Sequence, residues 1–320
     1  MTEPSVQRPD PSATHAPDLR RQLFRLSVRH FLEATKLATD GIDRDISTAL
    51  TFLAISRANV RPGANEMDRL AAYVAADTIP PDSERRPVSV YAIAKELVIP
   101  YETVRRHALK LRSAGLCEAV PGGLIIPNQV FARAEMVATL ESYWLATLDF
   151  VNAAAAAGIV MPVTDAEPPR DVSRQVMRLG VDFFLETLIT SAQIIECEPV
   201  AVLILRAVAF ANLAHVTLDP ERAAIYASLS APGPSDRERR PVSIYAIAKT
   251  LRLPYETARR HAQRLVADGL LRAPPGGGLV YPFEMSTRPE IAAGMALSVD
   301  MSLEFLNQLA VLGVRPQLPA

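Results

Sequence analysis

The sequence predicts a mainly α-helical protein with short β-hairpin wings, built as two homologous halves. Three observations carry that expectation. Residues 85–116, RRPVSVYAIAKELVIPYETVRRHALKLRSAGL, recur at 239–270 as RRPVSIYAIAKTLRLPYETARRHAQRLVADGL, with 22 of 32 positions identical. Both copies run into a Pro-Gly-Gly turn, at 121–123 and 275–277. The flanking segments also correspond: FRLSVRHFLEA at 24–34 matches MRLGVDFFLET at 177–187, an offset of 153. Self-similarity over so long a period marks a duplicated unit.

Taken in order, residues 1–18 form a polar leader with no apolar signal-peptide core and are expected to be disordered. The first unit spans 19–161. Apolar periodicity predicts helices over 19–38, 46–59 and 66–76, and Ile79-Pro80-Pro81-Asp82-Ser83 is a linker. Ser89 is suited to cap a short helix carrying Ile93 and Leu97. Pro100 ends that helix and opens the next, because proline fits a first turn and not an interior. The second helix, about 101–114, has Val104, Ala108 and Leu111 on one stripe and Gly115 beyond its end. Apolar runs at 116–120 and 124–126 around Gly-Gly read as a β-hairpin. A long helix over 131–157 closes the unit. Residues 162–170 form a proline-rich acidic linker, and 171–320 repeat the order with a closing helix over 289–313.

Helix, tight turn, helix, hairpin is the plan of a winged helix-turn-helix, here at about 85–127 and 239–282. The segment YAIAKELVIPYETVRRHALKLRSAGL resembles the winged helix-turn-helix superfamily of bacterial transcription regulators. The resemblance covers about 45 residues in each half, and what it implies is the fold and DNA binding. One departure is that the first hairpin has no basic residue, and the second has only Arg272.

The residue types suit DNA reading. Arginine can donate two parallel hydrogen bonds to guanine, and Lys and Arg neutralise phosphates. The first turns of a recognition helix meet the base edges. The expected contacts are therefore Tyr101, Glu102, Thr103, Arg105, Arg106 and Lys110, and in the second copy Tyr255, Glu256, Thr257, Arg259, Arg260 and Arg264. Glu102 and Glu256 can accept from cytosine or hold a neighbouring arginine. His107 and His261 lie beside the apolar stripe, as buried hydrogen-bonded residues or as phosphate contacts. An arginine pair on a helix is ordinarily a solvated face. Packing explains shared core residues between copies, however, and does not explain an identical polar PYET.RRHA.

Net charge is −1 over 320 residues. Residues 85–112 carry a local +5 and residues 239–266 a local +6, which leaves −12 for the remainder. A basic patch on an acidic body is the footprint of a site-specific nucleic-acid binder. Two cysteines at non-equivalent positions give no disulfide framework or metal spacing, so a cytoplasmic protein without metal or cofactor is expected. The apolar run 199–218 is broken by Arg206, Asn212 and His215 and reads as a buried helix, with no membrane partner.

The function expected is that of a transcription regulator, with one chain acting as a pseudo-dimer on two similar half-sites of double-stranded DNA. Two alternatives are a replication or partition initiator and a protein-interaction scaffold that binds no DNA. No phosphate loop, nucleophile elbow or paired metal ligands suggest an enzyme. Phe183, Phe184, Leu203, Trp144 and Phe150 are candidates for a core shared between the halves, where a small-molecule effector is one reading and plain packing the other. Asn59/Asn212 and Asn152/Asn307 are polar residues at apolar helix positions, read as buried hydrogen-bonding groups or as pocket groups. Further self-association of the chain stays open.

Overall fold

In a computed structural model, residues 17–60, 73–162 and 171–317 are described. Among these, the chain is mainly helical with one two-stranded antiparallel sheet. Helices α1 (Arg20–Ile42) and α2 (Ile46–Val60) come first. They are followed by α3 (Val90–Leu97), α4 (Tyr101–Ser113), strands β1 (Glu118–Val120) and β2 (Gly123–Ile125), the short α5 (Asn128–Phe131) and α6 (Ala134–Ala156). The second half of the sequence supplies α7 (Ser173–Ile195), α8 (Pro199–Thr217), α9 (Pro220–Ile225), α10 (Ile244–Thr250), α11 (Tyr255–Ala267), α12 (Phe283–Thr287) and α13 (Pro289–Val311).

Most of the helix expected over 66–76 falls on residues 61–72, outside the described residues. Its described end, Tyr73–Ala76, is not helical. That backbone bonds elsewhere: the Gln175 amide donates to the Val74 carbonyl at 3.1 Å, and the Ala76 amide to the Asp171 carboxylate at 2.8 Å. The helix expected unbroken from 131 is split, because Arg133 takes extended backbone and caps α6.

The core runs through both halves of the sequence. Helix α1 packs on α6 and α13, and α7 packs on α13 and α6. Phe31 and Phe184, corresponding residues at the offset of 153, stack on each other with centroids 4.6 Å apart. Phe183 stacks on Phe305 at 4.7 Å, and His30 on Phe150 at 5.0 Å. Leu203 is buried with them, while Trp144 sits half-buried at the edge. The crossing contacts are reciprocal. The amides of Arg21 and Gln22 donate to the Ala227 carbonyl, as the Gln175 amide does to Val74, its counterpart 153 residues earlier. Helix α8 is long and apolar enough to cross a membrane, yet most of it is buried in this core against α1, α7 and α11.

Two buried asparagines join each helix α2 or α8 to the hairpin region. Asn59 donates to the carbonyls of Arg86 (2.7 Å) and Leu124 (3.1 Å) and accepts from the Ile126 amide (2.8 Å). Asn212 repeats this with Arg240 (2.8 Å), Leu279 (3.0 Å) and the Tyr281 amide (2.8 Å). A carboxamide suits the task because it carries both donors and an acceptor in one plane. The Asn152/Asn307 pair differs from expectation: Asn307 is exposed, and half-buried Asn152 accepts from the Gln317 amide at 2.7 Å. Both lie off the buried stripe of their helices, whose inward positions are held by Val151 and Leu306.

Replacing Asn59 with Leu leaves buried backbone groups unpaired and is expected to cost about 2–4 kcal/mol in urea unfolding; an unchanged midpoint contradicts the clamp. His30 gives a second test. Burial pushes its pKa down from 6.5 to about 4. The unfolded chain takes up this proton below pH 6.5 and the folded one only near pH 4. The stability associated with neutral His30 is therefore complete above pH 6.5 and is lost as pH falls through that window, by about 3 kcal/mol. His30→Phe, which copies Phe183 at the corresponding position, should flatten that slope; an identical slope in the variant contradicts it.

Candidate nucleic-acid interface

The surface of α4 and α11 is set by what precedes each helix. Ser89 and Ser243 cap α3 and α10, each accepting from the amide three residues on at 3.1 Å. Just beyond each of these helices stands a residue in the left-handed region, Val98 or Arg252, both at φ 55°. The chain then turns into Pro100 or Pro254. Each proline is the N-cap of the next helix with extended ψ, and the helix begins at the tyrosine that follows, as expected. Proline's fixed φ holds that turn in one conformation.

The inward face is Val104, Ala108 and Leu111 in α4, and Ala258, Ala262 and Leu265 in α11, all buried. Val104 and Leu111 pack into the same core as Ile93 and Leu97 of α3. This packing turns the remaining positions outward. Tyr101, Glu102, Arg105, Arg106 and Lys110 are exposed and Thr103 is half-buried. Tyr255, Glu256, Arg260 and Arg264 are likewise exposed, with Thr257 and Arg259 half-buried. Each site residue expected from the sequence thus lies on one of two like helices, none on the buried stripe.

Their partners differ. Glu102 accepts from Arg105 Nε at 2.8 Å and Glu256 from Arg259 Nε at 2.9 Å, so each glutamate holds an arginine one turn on. Arg259 also donates to Gln263 Oε1 at 3.0 Å. Arg106 and Arg260 make no hydrogen bond or ion pair among the described residues. Lys110 reaches Asp43 at 2.6 Å and Asp45 at 3.3 Å, and these carboxylates raise its pKa. Arg264 lies loosely between Glu198 (3.9 Å) and Asp268 (3.8 Å). The carboxylates opposite Lys110 come from the α1–α2 turn, more than sixty residues away, and no local signal announces them.

His107 is buried and shares a hydrogen bond of 2.9 Å with Thr48 Oγ1. Burial draws its pKa down, against the opposing pull of Asp45. His261 is half-buried beside Glu198 at 4.0 Å, and burial again lowers its pKa. Both are anchoring residues, turned into the seam between helices.

The hairpins are unequal. In the first, β1 and β2 pair Glu118 with Ile125 and Val120 with Gly123. Gly123 lies so close to Val88 that a Cβ there would meet its carbonyl oxygen at 2.4 Å. In the second, only isolated bridges form, Arg272 with Val280 and Val242 with Leu279. Two glycines take positive φ in each turn, but the second turn holds one residue more, which lengthens it and shortens the ladder. Arg272, the one basic residue of that hairpin, is engaged by Asp236.

The sequence reading passed over Tyr91 and Tyr245, each 68% exposed in the first turn of α3 and α10. An aromatic identical in both copies yet without a packing role was the signal that could have found them. Among the described residues no group of three or more His, Cys, Asp or Glu comes together to hold a metal ion. Comparison with protein-family models, curated proteins and solved structures finds no match.

Because the Glu102–Arg105 and Glu256–Arg259 pairs stand in solvent, they contribute little to folding. Glu102→Ala and Glu256→Ala should leave the thermal unfolding midpoint where it is; a clear drop would mean the pairs hold structure and do not merely order a surface.

Proposed function

We propose that this protein is a bacterial, cytoplasmic transcription regulator that binds double-stranded DNA through α4 and α11, the recognition helices of two winged helix-turn-helix units in one chain. The observation that carries the reading is the twice-presented polar face: Tyr, Glu, Thr, Arg, Arg at 101–106 and again at 255–260, exposed or half-buried on both helices. Arg106 and Arg260 have their full hydrogen-bonding capacity available, and a planar guanidinium can address guanine O6 and N7 together. Arg105 and Arg259 are held at a defined angle by the glutamates, which limits the entropy lost when they reach a phosphate or a base. Lys110 and Arg264, already paired with carboxylates, are suited to backbone contacts that exchange one partner for another.

The order helix, turn, helix, hairpin in each copy supports the assignment of the units. The reciprocal Gln22–Ala227 and Gln175–Val74 contacts, with Phe31 stacked on Phe184, support a pseudo-twofold relation between the halves. A twofold pair of recognition helices reads an inverted repeat with half-sites about one helical turn apart. Fusion in one chain replaces dimer assembly by an intramolecular encounter. The hairpins, nearly without free basic residues, add little to affinity in this scheme.

The test is duplex binding by fluorescence anisotropy over a range of salt concentrations. Affinity should fall steeply with salt. Arg106→Ala and Arg260→Ala should each lose about 1–3 kcal/mol against the preferred base, and each in its own half-site. Binding that ignores salt, or variants that bind like the wild type, would rule the interface out.

A further inference from the structure

A cavity of about 1010 Å³ opens between α1, α2 and α6 on one side and α7 on the other, with α13 at its edge. Its size is that of sites for drug-sized ligands. Leu37, Leu53, Met136, Leu140 and Phe183 supply an apolar wall. Near the N-terminal end of α7 the wall turns cationic, with Arg85, Arg174 and Arg178.

Two of those three arginines have protein oxygens as partners, although Arg85 Nη1 is buried without one. Arg85 pairs with Asp82 at 3.0 Å, and Arg174 donates to the carbonyls of Ala75 and Ala76 beside Asp171. Arg178 differs. It is half-buried, its one hydrogen bond is to Gln175 Oε1 at 3.3 Å, and no carboxylate pairs with it among the described residues. Burial and then the like charges of Arg174 and Arg85 press its pKa down to about 10. A cation held partly out of water among other cations is costly unless an anion joins it.

The corresponding place in the second half of the sequence is filled. Arg206 stands where the first half has Leu53, and it is half-buried, with its Nη1 shut off from solvent. Its guanidinium donates to Ser191 Oγ at 2.7 Å, comes within 3.5 Å of Ser298 Oγ and lies 4.8 Å from the centre of the Phe31 ring. Ser191, Ser298 and Phe31 correspond to Ala38, Tyr143 and Phe184, three residues of the cavity wall. The long side chain of Arg206 therefore occupies the space that is open in the other half.

We propose that the cavity binds one amphipathic carboxylate per chain, its head on Arg178 and its apolar body along Leu37, Leu53, Met136 and Leu140, while Arg206 closes the corresponding place. Arg178, a lining arginine that no carboxylate pairs among the described residues, matches a single negative charge. Glu96, Asp182, Glu186, Asp300 and Glu304 also line the cavity, so the alkyl or aryl body lies along the Leu37, Leu53, Met136 and Leu140 wall. The site spans α1, α2 and α7, so its occupant touches the helices that carry both halves. This inference stands on the cavity and does not need the DNA-binding reading.

Isothermal titration of the full chain with dodecanoate, in the absence of DNA, tests it. The expected result is saturable binding at one site per chain, with dodecanol much weaker. Arg178→Gln should weaken dodecanoate by about tenfold or more, the loss of one charge-assisted hydrogen bond. Leu53→Arg, which brings the Arg206 arrangement into the cavity, should abolish binding. Thermal unfolding identifies any variant that fails to fold, and Arg178→Gln, at a half-buried position, then decides alone. No saturable heat with wild type, equal affinity for dodecanol, or unchanged affinity in the folded variants would overturn the proposal. Failure of the DNA experiments would leave it standing.

Discussion

The stacking of Phe31 of α1 on Phe184 of α7 is the contact on which the remaining geometry depends. Each of these helices packs on both long closing helices, α6 and α13, so neither half of the sequence completes a core alone. The beginning of α1 is tied to residues 226–232 and the beginning of α7 to residues 74–76. Those segments lead, through the 3₁₀ turns Asp236–Glu238 and Asp82–Glu84, into α10 or α3. The orientation of each candidate recognition helix is thus coupled to the opposite half of the sequence. Asn59 and Asn212 complete the coupling, because they fasten α2 and α8 to the backbone on both sides of each helix pair.

The two halves have also diverged, both within each half and where they meet. Gly41 in α1 faces Thr139, and a Cβ on Gly41 would lie 2.5 Å from the threonine hydroxyl. In the other half the sizes are reversed, with Ile194 against Gly294. Gly180 lies under the Tyr143 hydroxyl so closely that a Cβ would stand 1.8 Å from it, whereas its counterpart Ser27 bonds Ser302 at 2.9 Å. A dimer of two first halves would set Ser27 against Tyr143 and collide. The crossing contacts, Gly180 with Tyr143 and Ser27 with Ser302, suit pairing within one chain and disfavour exchange between chains. Arg206, filling what its counterpart Leu53 leaves open, belongs to the same pattern.

Much of this was legible in the sequence, for identifiable reasons. Short-range rules placed Ser89, Gly115 and the Val104–Ala108–Leu111 stripe, because caps and helical periodicity depend on neighbours within one turn. Comparison of the two copies picked out Asn59 and Asn212 as polar groups at apolar positions. What escaped was of long range. The carboxylates that hold Lys110, the backbone exchange that keeps residues 73–76 from being helical, and the Arg206 side chain all depend on partners distant in sequence. The second hairpin was misjudged through a single extra residue in its turn, which leaves only isolated bridges. Asn307 was misplaced by the reverse error, because a polar residue beside a buried stripe was counted as part of it.

The central claim is that one chain offers two equivalent reading helices related by a pseudo-twofold axis. Selection of bound sequences from a random duplex pool, followed by nuclease footprinting with a single chain, tests it most directly. The account predicts one protected site holding an inverted repeat, with half-sites centred about 10 base pairs apart. A direct repeat would contradict the twofold relation, and a pool without enrichment would contradict sequence reading by α4 and α11 altogether.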